Sequence, residues 1–445
     1  MHMPGADREG ASMSTFDVVE ICAGAGGQAL GLHKAGFKHR LAVELDSNAC
    51  ETLRVNFERL RKESDAESAE LDLFSGDPPE FEIAEGDVAD PDVWDPQQYK
   101  GVSLLAGGVP CPPFSIAGKQ LGANDERDLF AWAVEQVNVI QPRAVLLENV
   151  RGLSMPRFAG YRQHVLDRLS QFGYIAEWRL LHASEFGVPQ LRPRFILVAL
   201  RPEFAPYFSW PEPDVAPPTV GDTLVDLMAS GGWQGATSWA KKASKIAPTI
   251  VGGSKKHGGA DLGPTRAKRA WAEMGVDALG VADSPPSAET PDEFIPKLTC
   301  DMVARIQGWS DEYFWEFTGR KTSRYRQIGN AFPPPVAQAV GESIIRALRG
   351  EGDARKIETT EHDPVYLALR SANGFITPER LLKKTGLEDP AELERRIGLL
   401  SRDFEVEIEI TGTRTAYKIG SFKAFTGQED HDRHALFLQH RAKIS

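Results

Sequence analysis

The chain has 445 residues, 41% of them hydrophobic and 9% aromatic, and a formal net charge of −12. It is too long for one small domain and too apolar for a disordered or fibrous chain. No run approaches about eighteen uninterrupted apolar residues, the start MHMPGADREGASMS lacks the apolar core of a secretory signal, and Cys22, Cys50, Cys111 and Cys300 are too scattered for a disulfide framework or zinc ribbon.

From residue 16 the chain alternates β-rich runs with helical patterns. FDVVEIC (16–22), HRLAVELD (39–46), GVSLLAG (101–107), RAVLLEN (143–149) and RFILVAL (194–200) read as strands, and EWRLLHASEFG (177–187) as one more running into a turn. Amphipathic stretches at 128–140 and 161–173 read as helices. Near-continuous apolar strands separated by helices predict a parallel sheet covered on both faces. Residues 61–95 hold thirteen Asp or Glu against Arg61 and Lys62, a balance of −11, and the stretch 61–82 within them reads as a surface excursion from the fold.

Chemistry gathers at the strand ends. Gly24, Ala25, Gly26 and Gly27 lie where the first strand hands over to a helix, a place where backbone approaches a ligand closely. Glu44 ends the second strand, where a carboxylate grips ribose hydroxyls, and Asp87 follows at the next strand-like end. Singly, each carboxylate could equally be a surface group or helix cap. In order, they point to a nucleoside-containing cofactor.

Cys111 sits in GGVPCPPFS, on a proline-stiffened loop after an apolar strand, where a thiolate is a useful nucleophile. Buried structural thiols are the ordinary reading of the other three cysteines. Glu148 and Asn149 end another apolar run, where a carboxylate is costly to desolvate unless paired or functional. Gln190, Arg192 and Arg194 lie at the mouth of the 194–200 strand, and alternation predicts that only one of the two arginines need reach a pocket. Asn330 is expected on a tight Gly-Asn turn before a proline-stiffened helix start.

Residues 201–295 change texture: proline-rich, then rich in Gly, Ser, Ala and Lys. The stretch 241–270 holds eight Lys or Arg against Asp261, a balance of +7, either a phosphate-binding face or a solvated basic loop. Residues 351–445 hold fifteen basic against seventeen acidic residues. Within them DPVYLALRSANG, PERLLKKTG (N-cap Thr377, closing Gly386) and AELERRIGLLSRD read as helices, and EVEIEITGTRTAYKI as a hairpin. That order resembles a winged-helix domain, in which Arg395, Arg396 and Arg402 could face DNA phosphate; a packing or dimerisation module is the alternative.

GAGG, PCPPFS, ENV, QLRPR and RQIGNAFPPPVA, in that order over about 16–350, resemble the ordered motifs of the cytosine carbon-5 DNA methyltransferases. The resemblance implies an α/β fold. A Rossmann-like S-adenosylmethionine-dependent sheet would span 16–200 and 296–350, with a small irregular target-recognition domain at 201–295. A flexible N-terminus (1–15) and a C-terminal winged-helix-like α+β accessory domain (351–445) would flank them. It further implies S-adenosyl-L-methionine bound by Glu20, Gly24, Ala25, Gly26, Gly27, Glu44, Asp87 and Asn330, and catalysis by Cys111, Glu148, Arg192 and Arg194 with no metal. The expected partner is double-stranded DNA with the target base flipped out, acted on by a cytoplasmic, nucleoid-associated monomer, with a cognate restriction endonuclease as a further partner. Three residues depart from the common pattern: Glu20 and Cys22 stand where many members carry Asp and Phe, altering the contact to adenine. Pro112 replaces the usual glutamine after the catalytic cysteine. Other readings are a tRNA cytosine methyltransferase on the same scaffold, a catalytically silent DNA-binding module, and a small-molecule methyltransferase. The long basic segment and the intact Cys111, Glu148 and Arg194 argue against them.

Overall fold

The structure is a computed structural model that describes residues 16–69, 81–110, 127–213, 215–252, 260–309, 311–357, 363–372, 374–412 and 414–422. Seven strands, β1 (Phe16–Ile21), β2 (Phe37–Glu44), β3 (Glu82–Glu85), β4 (Leu104–Gly107), β5 (Ala144–Val150), β6 (Ile175–His182) and β7 (Pro193–Leu200), form one sheet in the order β3-β2-β1-β4-β5-β7-β6. The first five are parallel to one another. Their side chains alternate between two apolar layers, which is why the runs look continuously hydrophobic. Val19, Ile21, Leu105, Val145 and Leu147 face α3 (Arg127–Ile140) and α4 (Ala159–Gln171). Val18, Leu104, Ala106 and Leu146 share the opposite layer with Leu32 of α1 (Gly27–Ala35) and the apolar side of α10 (Pro334–Leu348).

The expectation of an all-parallel sheet is corrected at β7, which runs antiparallel to both β5 and β6. The link from His182 to Pro193 holds only a single 3-10 turn, Ala183–Glu185. A parallel return needs a crossover of a dozen or more residues, usually a helix, so this short link can only fold back. The consequence is functional. The beginning of β7 lies at the same edge as the ends of β1, β4 and β5, with Arg194 paired in register with Val150.

After β2, α2 (Ser47–Ala69) carries the chain into the acidic stretch. The described residues of 201–295 contain α5 (Val220–Ala229), α6 (Ala236–Lys242) and α7 (Thr265–Glu273), and among them there are isolated bridges and no ladder. Leu224, Met228, Trp233, Trp239 and Trp271 belong to one core with Leu298, with Val303 of α8 (Cys300–Ile306), with Tyr325 of α9 (Lys321–Asn330) and, from the sheet part, with Leu30, Ala42 and Leu53. Asn330 is therefore the last residue of a helix, not the corner of a tight turn. The helical path through Gly329 is set by its close crossing with Gly252, where an added Cβ would lie 2.5 Å from Gly252 Cα.

The C-terminal part holds α11 (Pro364–Arg370), α12 (Pro378–Thr385), α13 (Pro390–Asp403) and the hairpin β8 (Phe404–Thr411) with β9 (Arg414–Phe422). It shares one core with the sheet layer: Leu393, Ile397, Leu400 and Phe404 belong to the same cluster as Val165 and Leu169 of α4. The Tyr366 hydroxyl donates to Asp167 at 2.5 Å, and a Cβ on Gly160 would lie 2.7 Å from Leu400.

Candidate active site

The carboxyl edge of the sheet opens into a cleft of about 600 Å³. On one side stands the glycine turn between β1 and α1. Gly24 has φ +57° and open space where a side chain would be, so the backbone itself forms the wall. The Gly24 N–H donates to Glu44 Oε2 at 2.7 Å and the Asp46 N–H to Oε1 at 2.8 Å. Each carboxylate oxygen keeps acceptor capacity for a further donor. Burial pushes the Glu44 carboxyl up, and backbone N–H donors, those of Asp46 and Gly24 among them, hold it down. Gly27 packs so tightly that a Cβ would lie 2.4 Å from Phe332 O. Such a bare turn beside a helix start with an anchored carboxylate fits the adenosyl moiety of S-adenosylmethionine.

Glu20 also lines the cleft, and it is fully buried. Its Oε2 lies 3.1 Å from His39 Nε2. Burial pushes the Glu20 acid well up and the His39 imidazole down to about 3, so burial favours the neutral form of each partner.

Across the cleft, Glu148 stands near the end of β5. Arg194 Nε lies 2.5 Å from its Oε1, and both side chains are about nine-tenths buried. Burial raises the Glu148 carboxyl, while Arg194 and then Arg192 pull it back without cancelling the rise. A buried carboxyl beside a guanidinium is placed to hold or supply a proton for a base in the cleft. Asn149 donates from Nδ2 to Val109 O at 3.3 Å and accepts from the Val150 N–H at 2.8 Å, which fixes the turn after the strand.

Both arginines line the cleft, against the expectation that one of them need do so. Arg192 precedes β7, so strand alternation does not govern it. Its guanidinium, 1% exposed, donates to Ile250 O at 2.7 Å and to Gly329 O and Ala331 O at 2.8 Å. Gln190 works beside it: Oε1 accepts from the Ile250 N–H at 2.9 Å, and Nε2 donates to Gln307 Oε1 at 2.6 Å. Together they tie the sheet edge to Ile250, to Gln307 and to the junction of α9 and α10.

The cleft thus gathers Glu20, Gly24, Ala25, Gly27, Glu44, Glu148, Arg192, Arg194 and Asn330 from the expected set. Two are elsewhere. Gly26 faces away, toward Leu53 and Trp315, and Asp87 lies beyond β3 with Oδ1 accepting from the Ala89 N–H at 3.0 Å. Cys111 and the loop that carries it lie outside the described residues, as do Lys255 and Lys256. Sequence reasoning missed Gln28, Thr249, Ile250 and Arg326, which also line the cleft. Arg326 pairs with Asp46 at 3.2 Å, and Trp315 Nε1 donates to Ala25 O at 2.9 Å from behind the turn. No local pattern marks these residues; long-range partners mark Thr249, Ile250 and Arg326, and the Gln28 side chain has none.

The C-5 cytosine-specific DNA methylase family matches residues 16–346. The chain belongs to that family. It is 64% identical over 435 residues to the Type II methyltransferase M.NaeI of Lentzea aerocolonigenes, covering 97% of this chain and all of that protein. It is 46% identical to M.NgoMIV of Neisseria gonorrhoeae, covering 76% of this chain and 99% of the relative. A solved DNMT2 variant from Spodoptera frugiperda shares the fold at a TM-score of 0.50 and 18% identity, covering 74% of this chain and 99% of that one. The family's chemistry, transfer of a methyl group from S-adenosylmethionine to carbon 5 of cytosine in DNA, is therefore that of this chain. Among the described residues no helix is long and apolar enough to cross a membrane.

Proposed function

We propose that Cys111 is the nucleophile, that Glu148 and Arg194 hold the target cytosine, and that the glycine turn, Glu20, Glu44 and Asn330 hold S-adenosylmethionine. The observation that carries this reading is the buried Glu148–Arg194 pair facing the turn and Glu44 across a single cleft. Cytosine carbon 5 is a weak nucleophile. Addition of the Cys111 thiolate to carbon 6 pushes the ring electrons toward carbon 5 and nitrogen 3. Glu148, whose carboxyl is raised by burial, supplies or holds the proton at nitrogen 3, and Arg194 binds the oxygen on carbon 2. S-adenosylmethionine, when bound, supplies the electrophilic methyl group. Carbon 5 then loses its proton, and the returning electron pair expels the cysteine. Arg192 acts through the backbone it holds.

The substrate is duplex DNA with the target base flipped into the cleft. Target choice belongs to 201–295, where Arg266 and Arg269 stand exposed on α7 while Lys268 is paired with Asp261 at 2.8 Å. Most such arginines touch phosphate, and one that reaches a guanine edge would read sequence. The described residues between 363 and 422 form an accessory unit with the element order of a winged helix. In it Arg395 and Arg396 pair with Glu392, and Arg396 also with Asp363, so packing is its better-supported role. Relatives named Type II methyltransferases support a restriction–modification setting, and our reading adds a cytoplasmic methyltransferase that binds DNA as a monomer.

The test is covalent trapping on duplex DNA carrying 5-fluorocytosine, whose carbon 5 cannot release a proton. The wild-type chain should form a denaturant-resistant adduct and Cys111→Ser none. Glu148→Gln should lower the methylation rate far more than DNA affinity. An adduct with the serine variant refutes the assignment of Cys111, and an unchanged rate with the glutamine variant refutes that of Glu148.

A further inference from the structure

Gln28 is 3% exposed, lines the cleft, and has neither its amide nitrogen nor its amide oxygen hydrogen-bonded. Among the described residues no other side chain leaves two buried polar atoms unpartnered. A buried amide in this state is destabilising, since it has given up water at both ends and gained nothing. Native proteins leave few such groups, and each calls for a physical reason.

Its surroundings supply one. Gln28 is the second residue of α1, whose N-cap is Gly26 with no side-chain hydrogen bond and whose first turn has no acidic residue. The first N–H groups of that helix have no intrahelical partner, and the helix end favours negative charge. The preceding residue, Gly27, is pressed against Ala331 and Phe332. Gly27 and Gln28 line the same cleft as Glu44 and Glu148.

We propose that the Gln28 side chain is a binding residue for the amino-acid end of S-adenosylmethionine. The inference rests on the reading that Glu44 takes the ribose. With the ribose at Glu44 and the methyl group directed to the Glu148 side, the remaining end of the molecule is an α-carboxylate and an α-ammonium. A zwitterion needs a donor for one group and an acceptor for the other. An amide offers both on one side chain, N–H to the carboxylate and C=O to the ammonium. An acidic residue there would repel the carboxylate, and a basic one the ammonium and the sulfonium. The uncapped helix start adds backbone donors for the same carboxylate.

The test uses the full-length chain and two ligands that share the adenosine and thioether portion. S-adenosylhomocysteine carries the amino-acid end, and 5′-methylthioadenosine lacks it. Dissociation constants are measured by calorimetry for wild type, Gln28→Leu, Gln28→Ala and Glu44→Ala. Gln28→Leu should weaken S-adenosylhomocysteine roughly tenfold or more, the loss expected for a hydrogen bond to a charged group. It should leave 5′-methylthioadenosine within about twofold by the same reasoning. Because leucine removes an unsatisfied amide, the ligand-free variant should melt at or above the wild-type temperature. Should leucine not fit, Gln28→Ala reads out the same selectivity. Equal weakening of both ligands, or none, overturns the role of Gln28. Glu44→Ala should weaken both ligands; if it weakens neither, the placement of the ribose fails and the proposal falls with it. If Glu44→Ala weakens both while the Gln28 variants show no selectivity, only the Gln28 assignment is lost.

Discussion

Replacing Gly26 by alanine places a methyl group 2.7 Å from Leu53 Cδ2 and 2.7 Å from Trp315 Cζ2, at a backbone φ of +89°. Two costs add. The left-handed conformation disfavours any L side chain by about 1–2 kcal/mol. Overpacking a filled site costs about 1–3 kcal/mol more. Neither neighbour can move easily. Leu53 is wholly buried, and Trp315 is held by its hydrogen bond to Ala25 O at 2.9 Å. The sum is a loss of about 2–5 kcal/mol. Gly24 provides the control, because its φ is also positive, at +57°, but nothing lies within 4 Å of an added Cβ. Gly24→Ala should therefore lose only the conformational part, about 1–2 kcal/mol. Urea denaturation at 25 °C compares the two directly, provided that the denaturant slopes match the wild type. If the two variants are equally destabilised, the aromatic wall behind the turn is not what demands glycine at 26, and the packing account is wrong.

Two further outcomes follow from the charges and the shared core. Glu20 has a folded pKa raised by burial and then by Glu44, so the folded chain keeps a proton that the unfolded chain releases above the ordinary carboxylate range. Its contribution to stability is full below that range and declines by about 1.4 kcal/mol per pH unit until its folded pKa is passed. Gln at 20 has no proton to lose, so Glu20→Gln should gain on the wild type as pH rises from 5 to 8. Stability curves that stay parallel across that range refute the buried neutral acid. Truncation after residue 357 removes Leu393, Ile397, Leu400 and Phe404 from the core they share with α4 and breaks the Tyr366–Asp167 hydrogen bond. The shortened chain should melt well below the full chain while its DNA affinity keeps the same salt dependence; a flatter salt dependence with unchanged melting would instead make this unit a DNA contact.

Much of the fold was legible because it is local. The apolar runs of β1, β2, β4 and β5, the glycine turn, Glu44 and Glu148 at strand ends, and the helices and hairpin after 363 all follow from period, capping and turn chemistry within a dozen residues. Strand direction is not local in that sense. An apolar alternation reads the same in either direction, and only the short link before β7 reverses it and brings Arg194 onto Glu148. The same limit hid the work of Arg192, whose three acceptors lie 58 to 139 residues away, and the outward turn of Gly26 toward Trp315. It also hid the isolation of Gln28, which is a fact about what fails to surround it. Residue type and spacing determined which groups could do chemistry at the sheet edge. Which of them meet, and which are left without partners, was decided by packing between segments that are distant in the chain, because hydrogen bonds and close contacts depend on position in space and carry no period in sequence.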